Sequence, residues 1–399
     1  MSFFTIFKGL KIVEMRNVRI KELFVIFLTL WVITAGCGKN ADPVPFAGII
    51  DTVGTGVDQV KVVVVKGTPY EMGKQLGTLL ADDIRASLGT FLAAVREEYG
   101  DEVDVDWLLK GAWMDNAPYI DQRVLDEMEG LAEGSGMSLE EIQMAHMVPV
   151  VSPYACSGVV TWGEATADGH TYQLRNLDYT MDAGLQDHPV VVVYLPDKGT
   201  AHFNVTFAGY IASNTGMSAN HLVFGEKGRS KSSEFPYNVR GKHFSFLFRE
   251  MMYDAASLED IVNTIKRGPL IKRYCLYFAD GNGDGSGVKI AVNAPDDPPY
   301  SIWYDNDASD PAAPDVFKGV VYHTMENDDA ARYIKANHGT FDADKMIELS
   351  RLVADMGGNL MDVVYDATTL EIWVAYANGD EEAALQKYVH IDMKEYLGY

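Results

Sequence analysis

One cysteine heads a segment whose residue types could carry out nucleophilic chemistry. Cys156 begins a strand-like run, and a second strand-like run ends in the tetrad Arg-Asn-Leu-Asp at 175–178. A free thiol has a pKa of about 8.5 and is a weak nucleophile unless a cation or a base assists it. Arg175 could supply the cation, and Asp178 could orient a protonatable amine. The alternative interpretation of these two residues is an ion pair at the end of a strand.

A cut before Cys156 would place the nucleophile and the general base on one residue. The new α-amino group would have a pKa of about 7.7–8.0, so it could accept the thiol proton near neutral pH without a histidine. Arg175 and Asp178 are three positions apart, and a regular strand would point their side chains to opposite faces. Both can therefore reach the thiol only if the strand bulges or ends there.

The composition excludes some classes of function. The 399 residues are 47% hydrophobic, which is enough for a large core in one big domain or two ordinary ones. The formal net charge is −24, and no basic block could release counterions from a phosphate backbone, so nucleic acid is not expected as a partner. The histidines show no metal-ligand spacing. We therefore predict neither a metal nor another cofactor.

The first residues predict export. The apolar run at 23–33 is shorter than the roughly 20 residues that a membrane-spanning helix needs. Basic residues precede it and small residues follow, which predicts a secretory signal over 1–36 with Met15 as the true start. The ending Ala-Gly-Cys is similar to a bacterial lipobox, so Cys37 would be lipidated and 37–46 would tether the protein to a membrane of the cell envelope. Plain secretion is the alternative.

The other cysteines leave two possibilities. Once Cys37 is assigned to lipid, Cys156 and Cys275 remain, and an exported chain could join them in a disulfide. Cys275 lies in a strand-like aromatic run, which favours a small, buried apolar residue instead.

The surrounding pattern predicts the elements that must position the thiol. Residues 67–148 are predicted to be mostly helical, with Pro69 in the first turn of a helix and a capping box that begins at Ser138. After the thiol, short strands alternate with Gly and Pro turns, and helices return near 243–267 and 342–355. Strands with flanking helix pairs favour an α+β sandwich, with helices outside two sheets, over a parallel α/β sheet.

Two hairpins are predicted in the second half of the chain, within 47–399, which we interpret as one domain. The last hairpin covers 362–376. The other contains 280–285, which matches the first half of a calcium-binding EF-hand loop. Ala291 stands where that loop needs a bidentate Glu, so the segment predicts a tight glycine turn rather than a calcium site.

The chain resembles the acyl-coenzyme A:6-aminopenicillanate acyltransferase family (peptidase family C45) of N-terminal-nucleophile (Ntn) hydrolases. It is more distantly similar to the choloylglycine hydrolases. The most specific part of the resemblance is Cys156 followed by Arg-Asn-x-Asp, and the segments 67–73, 129–136 and 362–366 add to it. The likeness covers about residues 60–395.

The resemblance implies an α+β fold, a four-layer αββα Ntn-hydrolase sandwich with a mostly helical N-terminal prosegment. It also implies that the thiol cleaves the peptide bond between Ala155 and Cys156. The two chains, 37–155 and 156–399, would stay associated. By position, Cys156 corresponds to the nucleophile and Asp178 to the aspartate that holds the freed amine. Arg175 corresponds to the arginine beside the thiol in choloylglycine hydrolases.

Other positions follow the family less closely. The family places an Asn at the oxyanion site, but the corresponding stretch at 319–324 contains none, so Tyr322 or His323 would occupy that place. Asn176 and Arg332 are further candidates for supporting the site or the substrate.

The predicted function is that of an exported cysteine Ntn hydrolase or acyltransferase. It would act on a small-molecule linear amide through an acyl-thioester on Cys156. One alternative is a non-catalytic, ligand-binding lipoprotein on a degenerate Ntn scaffold. Another is an uncleaved thiol hydrolase that uses His323 or His146 as its base.

Overall fold

The computed structural model describes residues 46–100, 103–305, 307–313 and 315–398. The predicted export signal and Cys37 lie outside these ranges. Each helix within them is too short or too polar to span a bilayer.

Two mainly antiparallel sheets lie at the centre of the described residues. The nine strands of the first sheet are, in spatial order, β1 (Ile49–Val53), β2 (Val60–Gly67), β5 (Pro189–Pro196), β6 (His202–Phe207), β7 (Gly216–Ser218), β8 (Leu222–Gly228), β9 (Arg273–Asp280), β10 (Ser286–Asn293) and β11 (Tyr300–Trp303). The six strands of the second sheet are β12 (Val320–His323), β3 (Ala155–Thr161), β4 (Tyr172–Asp178), β13 (Asn359–Asp366), β14 (Glu371–Tyr376) and β15 (Val389–Asp392). The pair β2 and β5 is parallel, and the other neighbours are antiparallel.

The helices precede, interrupt and follow the strands. They are α1 (Pro69–Leu79), α2 (Ala81–Tyr99), α3 (Val105–Asn116), α4 (Gln122–Ser135), α5 (Leu139–Val151), α6 (Phe244–Asp254), α7 (Leu258–Lys266), α8 (Asn327–Asn337), α9 (Ala343–Val353) and α10 (Lys394–Leu397). Pro69 begins α1, and Ser138 and Glu141 form the predicted capping box of α5. The N-terminal segment is therefore mostly helical, as predicted.

Three apolar clusters define the layers. One packs α6 and α7 against the outer face of the first sheet, and another packs α8 and α9 against the outer face of the second. The largest cluster fills the space between the sheets, where β3 and β4 face β8 and β9, and extends into α1–α5. The predicted four-layer αββα sandwich is confirmed.

The predicted hairpins are present. Strands β3 and β4 pair antiparallel and place Cys156 opposite Leu177, while β13 and β14 form the last hairpin. Strands β9 and β10 flank the glycine turn, where Gly283 and Gly285 have φ of 61° and 71°. Positive φ at these positions accounts for glycine in the EF-hand-like segment.

Candidate active site

Cys156 lies at the start of β3, in the cluster between the sheets. Its side chain is fully buried. Cys156 and Cys275 are both free cysteines, so no disulfide joins them. Arg175 donates from Nη2 to the Cys156 Sγ at 3.3 Å, which places the predicted cation on the thiol.

Asp178 reaches the same region because β4 ends at this residue. The ladder between β4 and β13 also shifts register here, between Asn359 and Met361. The backbone N–H of Asp178 donates to the thiol and favours its ionised form. The irregularity that the spacing of Arg175 and Asp178 required is therefore present.

Glu226 on β8 is a part of the site that the sequence analysis did not identify. Its Oε1 accepts a 2.6 Å hydrogen bond from Arg175 Nη2 and lies 3.8 Å from the Cys156 Sγ. The ion pair is fully buried. Burial raises the pKa of Glu226, and Arg175 opposes that rise. The available signal was an acidic residue two positions after a strand-like run at 221–224.

The thiol is protonated before any cut. Burial raises the pKa of Cys156, Arg175 acts to lower it, and Glu226 and Asp178 act to raise it. Two opposing charges of one ion pair thus control how readily this sulfur ionises. Removing Arg175 should raise the thiol pKa, and removing Glu226 should lower it.

Two further residues of β8 shape the site. Lys227 donates from Nζ to the carbonyl oxygen of Cys156 at 2.8 Å. Gly225 leaves room for the guanidinium arm, since a Cβ there would lie 2.6 Å from Gln173 Nε2 and 3.5 Å from Arg175 Cγ. Strand β8 therefore holds Cys156 by its backbone carbonyl and leaves space for Arg175 beside it.

Asn359 holds Asp178 and leaves one carboxylate oxygen open. Its Nδ2 donates to Asp178 Oδ1 at 2.9 Å and to Asp362 Oδ1 at 2.7 Å. Asp178 Oδ2 is buried and has no hydrogen-bond partner within the described ranges. Ala155 lies directly across from Asp178 in the β3–β4 pair. An amine created at the nitrogen of Cys156 would therefore appear beside an acceptor.

Asp178 and Asp362 are linked through Asn359, and from their raised pKa values we expect the free energy of unfolding to fall as the pH rises. Burial raises the pKa of Asp178 to about 7 and that of Asp362 to about 8, against the hydrogen bonds from Asn359. The folded state therefore keeps protons that the unfolded state releases above about pH 4. This contribution to the free energy of unfolding is complete below the unfolded pKa. It declines between about pH 4 and 8, by on the order of a few kcal/mol.

Urea unfolding of the Cys156→Ala chain at about pH 5 and about pH 8 checks this expectation, because that variant lacks the reactive thiol. Asp362→Asn in the same background should flatten the pH dependence, since a neutral amide releases no proton. An equal dependence in the two chains would show that these carboxyls do not titrate in this way.

The structure separates the two residues predicted for the oxyanion site. Tyr322 pairs with Val159 and packs against α8 and α9, on the opposite face of the sheet from the thiol. His323 pairs with Gly158 and faces the inner layer, where burial lowers its pKa to about 2. Such a ring is too weak a base to take the thiol proton.

The remaining candidates contact other parts of the protein. Asn176 donates to the carbonyl oxygen of Ser350 on α9. Arg332 is exposed on α8 and pairs with Asp329. Both ring nitrogens of the buried His146 are engaged by backbone groups, so this histidine is not available as a base either.

An apolar cavity of about 50 Å³ adjoins the hairpin of the thiol. Its wall includes Leu177, the partner of Cys156 in the β3–β4 pair, and Tyr154, two residues before the thiol. Among the described lining residues, Asn214 carries a side-chain amide. Phe91 and Tyr179 also line a groove of about 350 Å³, so the cavity and the groove adjoin each other.

Within the described ranges, no group of three or more His, Cys, Asp or Glu side chains is arranged to hold a metal ion. The arrangement at Cys156 can instead support acyl transfer to sulfur. It combines a thiol, a cation, an open carboxylate oxygen and an apolar cavity.

Comparisons with known proteins give distant similarities. No protein-family model matches the chain. Protein dcd1B of Dictyostelium discoideum is 25% identical over 378 residues, which cover 85% of this chain and 73% of that protein. Protein dcd1A of the same organism is 26% identical over 294 residues, 61% of this chain and 65% of that protein. An uncharacterized protein of Archaeoglobus fulgidus is 24% identical over 305 residues, covering 68% of this chain and half (50%) of its own length.

Solved structures with a similar fold include an amidase, an acylase and a hydrolase. An N-acylethanolamine-hydrolyzing acid amidase ortholog from Caenorhabditis elegans has a TM-score of 0.44 and 17% identity, covering 59% of this chain and 99% of that one. Penicillin V acylase from Agrobacterium tumefaciens has a TM-score of 0.41 and 13% identity, covering 60% and 87%. A conjugated bile acid hydrolase from Clostridium perfringens has a TM-score of 0.39 and 11% identity, covering 60% and 93%. These are enzymes of the Ntn-hydrolase fold.

Proposed function

We propose that this chain is a self-cleaving cysteine amidase that hydrolyses a linear amide with an apolar acyl group. The observation that supports it most is the β3–β4 hairpin. There Arg175 contacts the Cys156 thiol, and Asp178, which has one carboxylate oxygen without a hydrogen-bond partner in the described ranges, pairs with Ala155 across the hairpin. The apolar cavity, which Tyr154 and Leu177 help to line, gives an acyl group a place next to this hairpin.

The first step is cleavage before Cys156. The thiol attacks the carbonyl carbon of Ala155, the C–N bond between the two residues breaks, and the proton passes from sulfur to the departing nitrogen. That nitrogen becomes the α-amino group of Cys156. Water then hydrolyses the thioester, which leaves a carboxylate on Ala155 and restores the thiol. Asp178 accepts a hydrogen bond from the new amine through its open oxygen.

The same sulfur then attacks the substrate. The α-amine takes the thiol proton, and Arg175 stabilises the thiolate. A tetrahedral intermediate forms at the substrate carbonyl and collapses to an acyl-thioester, while the α-ammonium gives its proton to the leaving amine. Water releases the acyl group as a carboxylic acid. An amine in place of water would make the same reaction an acyl transfer.

The groove beside the cavity favours substrates whose amine part is neutral or cationic. Its walls carry Glu97, Glu98 and Asp182. Burial raises the pKa of Glu98, and the negative charge of the nearby Asp182 adds to that rise. An anionic head group would be repelled at this point, whereas a cationic one would be attracted.

The two cleaved chains should remain together. Strand β2 belongs to the N-terminal piece and β5 to the C-terminal piece, yet they pair in parallel from Lys61 opposite Val190 to Gly67 opposite Pro196. The core between the sheets also contains residues from both pieces. Separation therefore requires unfolding.

Intact-mass measurement of the purified protein tests the proposal directly. We expect two masses under denaturing conditions, with a new N-terminus at Cys156, and one complex under native conditions. A panel of N-acyl amides that differ in acyl length and in the charge of the amine part then tests the substrate class. A chain that stays whole and releases no acid from any member of the panel would refute the proposal.

We assign the oxyanion donor to Asn214, because it brings a side-chain amide to the cavity beside Leu177. Asn214→Leu should lower kcat by about 100-fold, since a missing oxyanion donor is felt mainly in the transition state. Steady-state kinetics on the best amide measure the effect. Tyr322→Phe is the control and should leave kcat unchanged. A loss in His323→Gln with none in Asn214→Leu would move the assignment to the histidine.

We also propose that the protein is exported and anchored by lipid on Cys37, on the basis of the apolar run and the lipobox-like ending. The wild type should then fractionate with membranes, and Cys37→Ser should not. A mass spectrum of the N-terminal peptide without a lipid adduct would contradict the anchor.

A further inference from the structure

The loop at 208–215 joins β6 to β7 and forms one wall of the cavity. Tyr210 and Asn214, both on this loop, line the cavity beside Leu177. Gly209 permits the loop to approach α2, because its φ is 89° and a Cβ there would lie 2.9 Å from Leu88 Cγ. The position of this loop therefore determines which groups face the acyl chain.

Two buried side chains hold a single residue of this loop. Ile211 donates from its backbone N–H to His146 Nε2 at 3.0 Å, and its carbonyl oxygen accepts from Arg249 Nη1. His146 donates from Nδ1 to the carbonyl oxygen of Ile142 at 2.8 Å, which fixes the tautomer that leaves Nε2 as the acceptor. Burial lowers the pKa of His146 to about 4, so this arrangement persists at neutral pH.

We call His146, Arg249 and Glu127 the clamp. Its cation, Arg249, has a buried counter-charge of its own. Arg249 on α6 donates from Nη2 to Glu127 on α4 at 2.7 Å, and both side chains are fully buried. The guanidinium also lies 4.0 Å from the ring centre of Tyr194. On the other side of the loop residue, the His146 ring stacks on Tyr210 with centroids 4.9 Å apart. Helices α5 and α6 thus converge on one residue of the loop, and α4 supplies the counter-charge.

Burying the ion pair of Arg249 and Glu127 costs desolvation free energy. The desolvation of two charges often equals or exceeds their mutual attraction, and an apolar pair of the same size can be as stable. What the ion pair adds is direction, because a guanidinium must place its N–H groups in the plane of its acceptors. Arg249, oriented by Glu127, therefore fixes the direction in which the carbonyl oxygen of Ile211 is held.

We propose that His146, Arg249 and Glu127 are positioning residues that hold the loop 208–215 in the conformation that presents Tyr210 and Asn214 to the substrate. The proposal rests on the proposed amidase function for its catalytic consequence. The clamp itself concerns the loop and can be measured without any turnover. The self-cleavage step should not depend on it, because both reacting groups belong to β3.

The test uses the full-length double variant Glu127→Gln, Arg249→Gln, which removes both charges together and leaves no unpaired ion. Hydrogen exchange of the peptide that covers 208–215 should accelerate by at least about tenfold, since the loop opens locally. With the best N-acyl amide, kcat/KM should fall about 10- to 100-fold through misplacement of the wall. The yield of cut chain, measured by intact mass, should match that of the wild type.

Arg123→Gln is the matched control. Arg123 also joins α4 to the end of α6, through Asp254, and lies over the Tyr253 ring, but its side-chain hydrogen bonds go to Asp121 and Asp254 rather than to the loop. This variant should leave both the exchange of 208–215 and kcat/KM at wild-type values. If the control and the double variant changed exchange and kcat/KM equally, the clamp would only stabilise the fold in general. That result would overturn the proposal.

The possible outcomes test the proposed clamp and the proposed amidase function separately. Faster exchange in the double variant, with no hydrolysis by the wild type, would support the clamp and refute the amidase. Hydrolysis by the wild type, with unchanged exchange and kinetics in the double variant, would refute the clamp alone. If the double variant does not fold, His146→Leu carries the same test, because it removes the acceptor and the stacked ring without unpairing a charge. Unchanged exchange in that variant would likewise refute the clamp.

Discussion

Cys156→Ala should leave the purified protein as one uncut chain and reduce amide hydrolysis by at least about 10⁴-fold. Both reactions use the same sulfur, which belongs to the residue directly after Ala155 and accepts a hydrogen bond from Arg175. The measurement is intact mass under denaturing conditions, followed by the release of acid from the best N-acyl amide.

Cys275→Ala is the matched control for this experiment. Cys275 is also a buried, free cysteine, and it lies on β9 opposite Lys227. Loss of its sulfur leaves only a small cavity, so the variant should cut itself and turn over as the wild type does. Two masses from Cys156→Ala, or residual hydrolysis equal to that of the control, would exclude Cys156 as the nucleophile.

Arg175→Gln should lower kcat/KM by about 10³-fold, and the thiol pKa of the cut enzyme should rise. The substitution removes the cation that contacts the sulfur and leaves Glu226 buried without its partner. We also expect the free energy of unfolding to fall by about 3–5 kcal/mol, the usual cost of an unpaired buried charge. The pH dependence of thiol alkylation reports the ionisation separately from stability.

Glu226→Gln should shift the thiol pKa in the opposite direction from Arg175→Gln. It removes a negative charge that lies 3.8 Å from the Cys156 Sγ, so the thiol pKa should fall while the shape of the side chain is kept. Glu127→Gln breaks an equally buried ion pair elsewhere and should lower stability without moving the thiol pKa. Shifts of the same sign in Arg175→Gln and Glu226→Gln would show that structural damage, rather than charge, controls this sulfur.

The local part of the site was predictable because it lies on one hairpin. Cys156, Arg175 and Asp178 belong to two consecutive strands, and antiparallel pairing across the connection at 162–171 brings them together. The spacing of Arg175 and Asp178 even required an irregular strand end, and β4 ends there. Helix starts such as Pro69 and Ser138 were predictable for the same reason, since caps act over a few residues.

The oxyanion prediction shows where local pattern fails. Tyr322 and His323 are neighbours in the sequence, and consecutive residues of a strand face opposite layers. Which of the two faces the thiol depends on the register of β12 against β3, and a shift by one residue would exchange them. A pattern of four residues carries no information about that register.

The sequence by itself determined that Cys156, Arg175 and Asp178 share one hairpin, and it determined the helix-flanked two-sheet class, because short-range pairing and capping decide both. Only the tertiary structure decided that Glu226 from β8 opposes the cation, that Asn359 from β13 leaves one oxygen of Asp178 open, and that Ile211 is held between His146 and Arg249. These contacts join residues separated by 38 to 181 positions. They exist only after the two sheets and the helices pack, and no local periodicity encodes them.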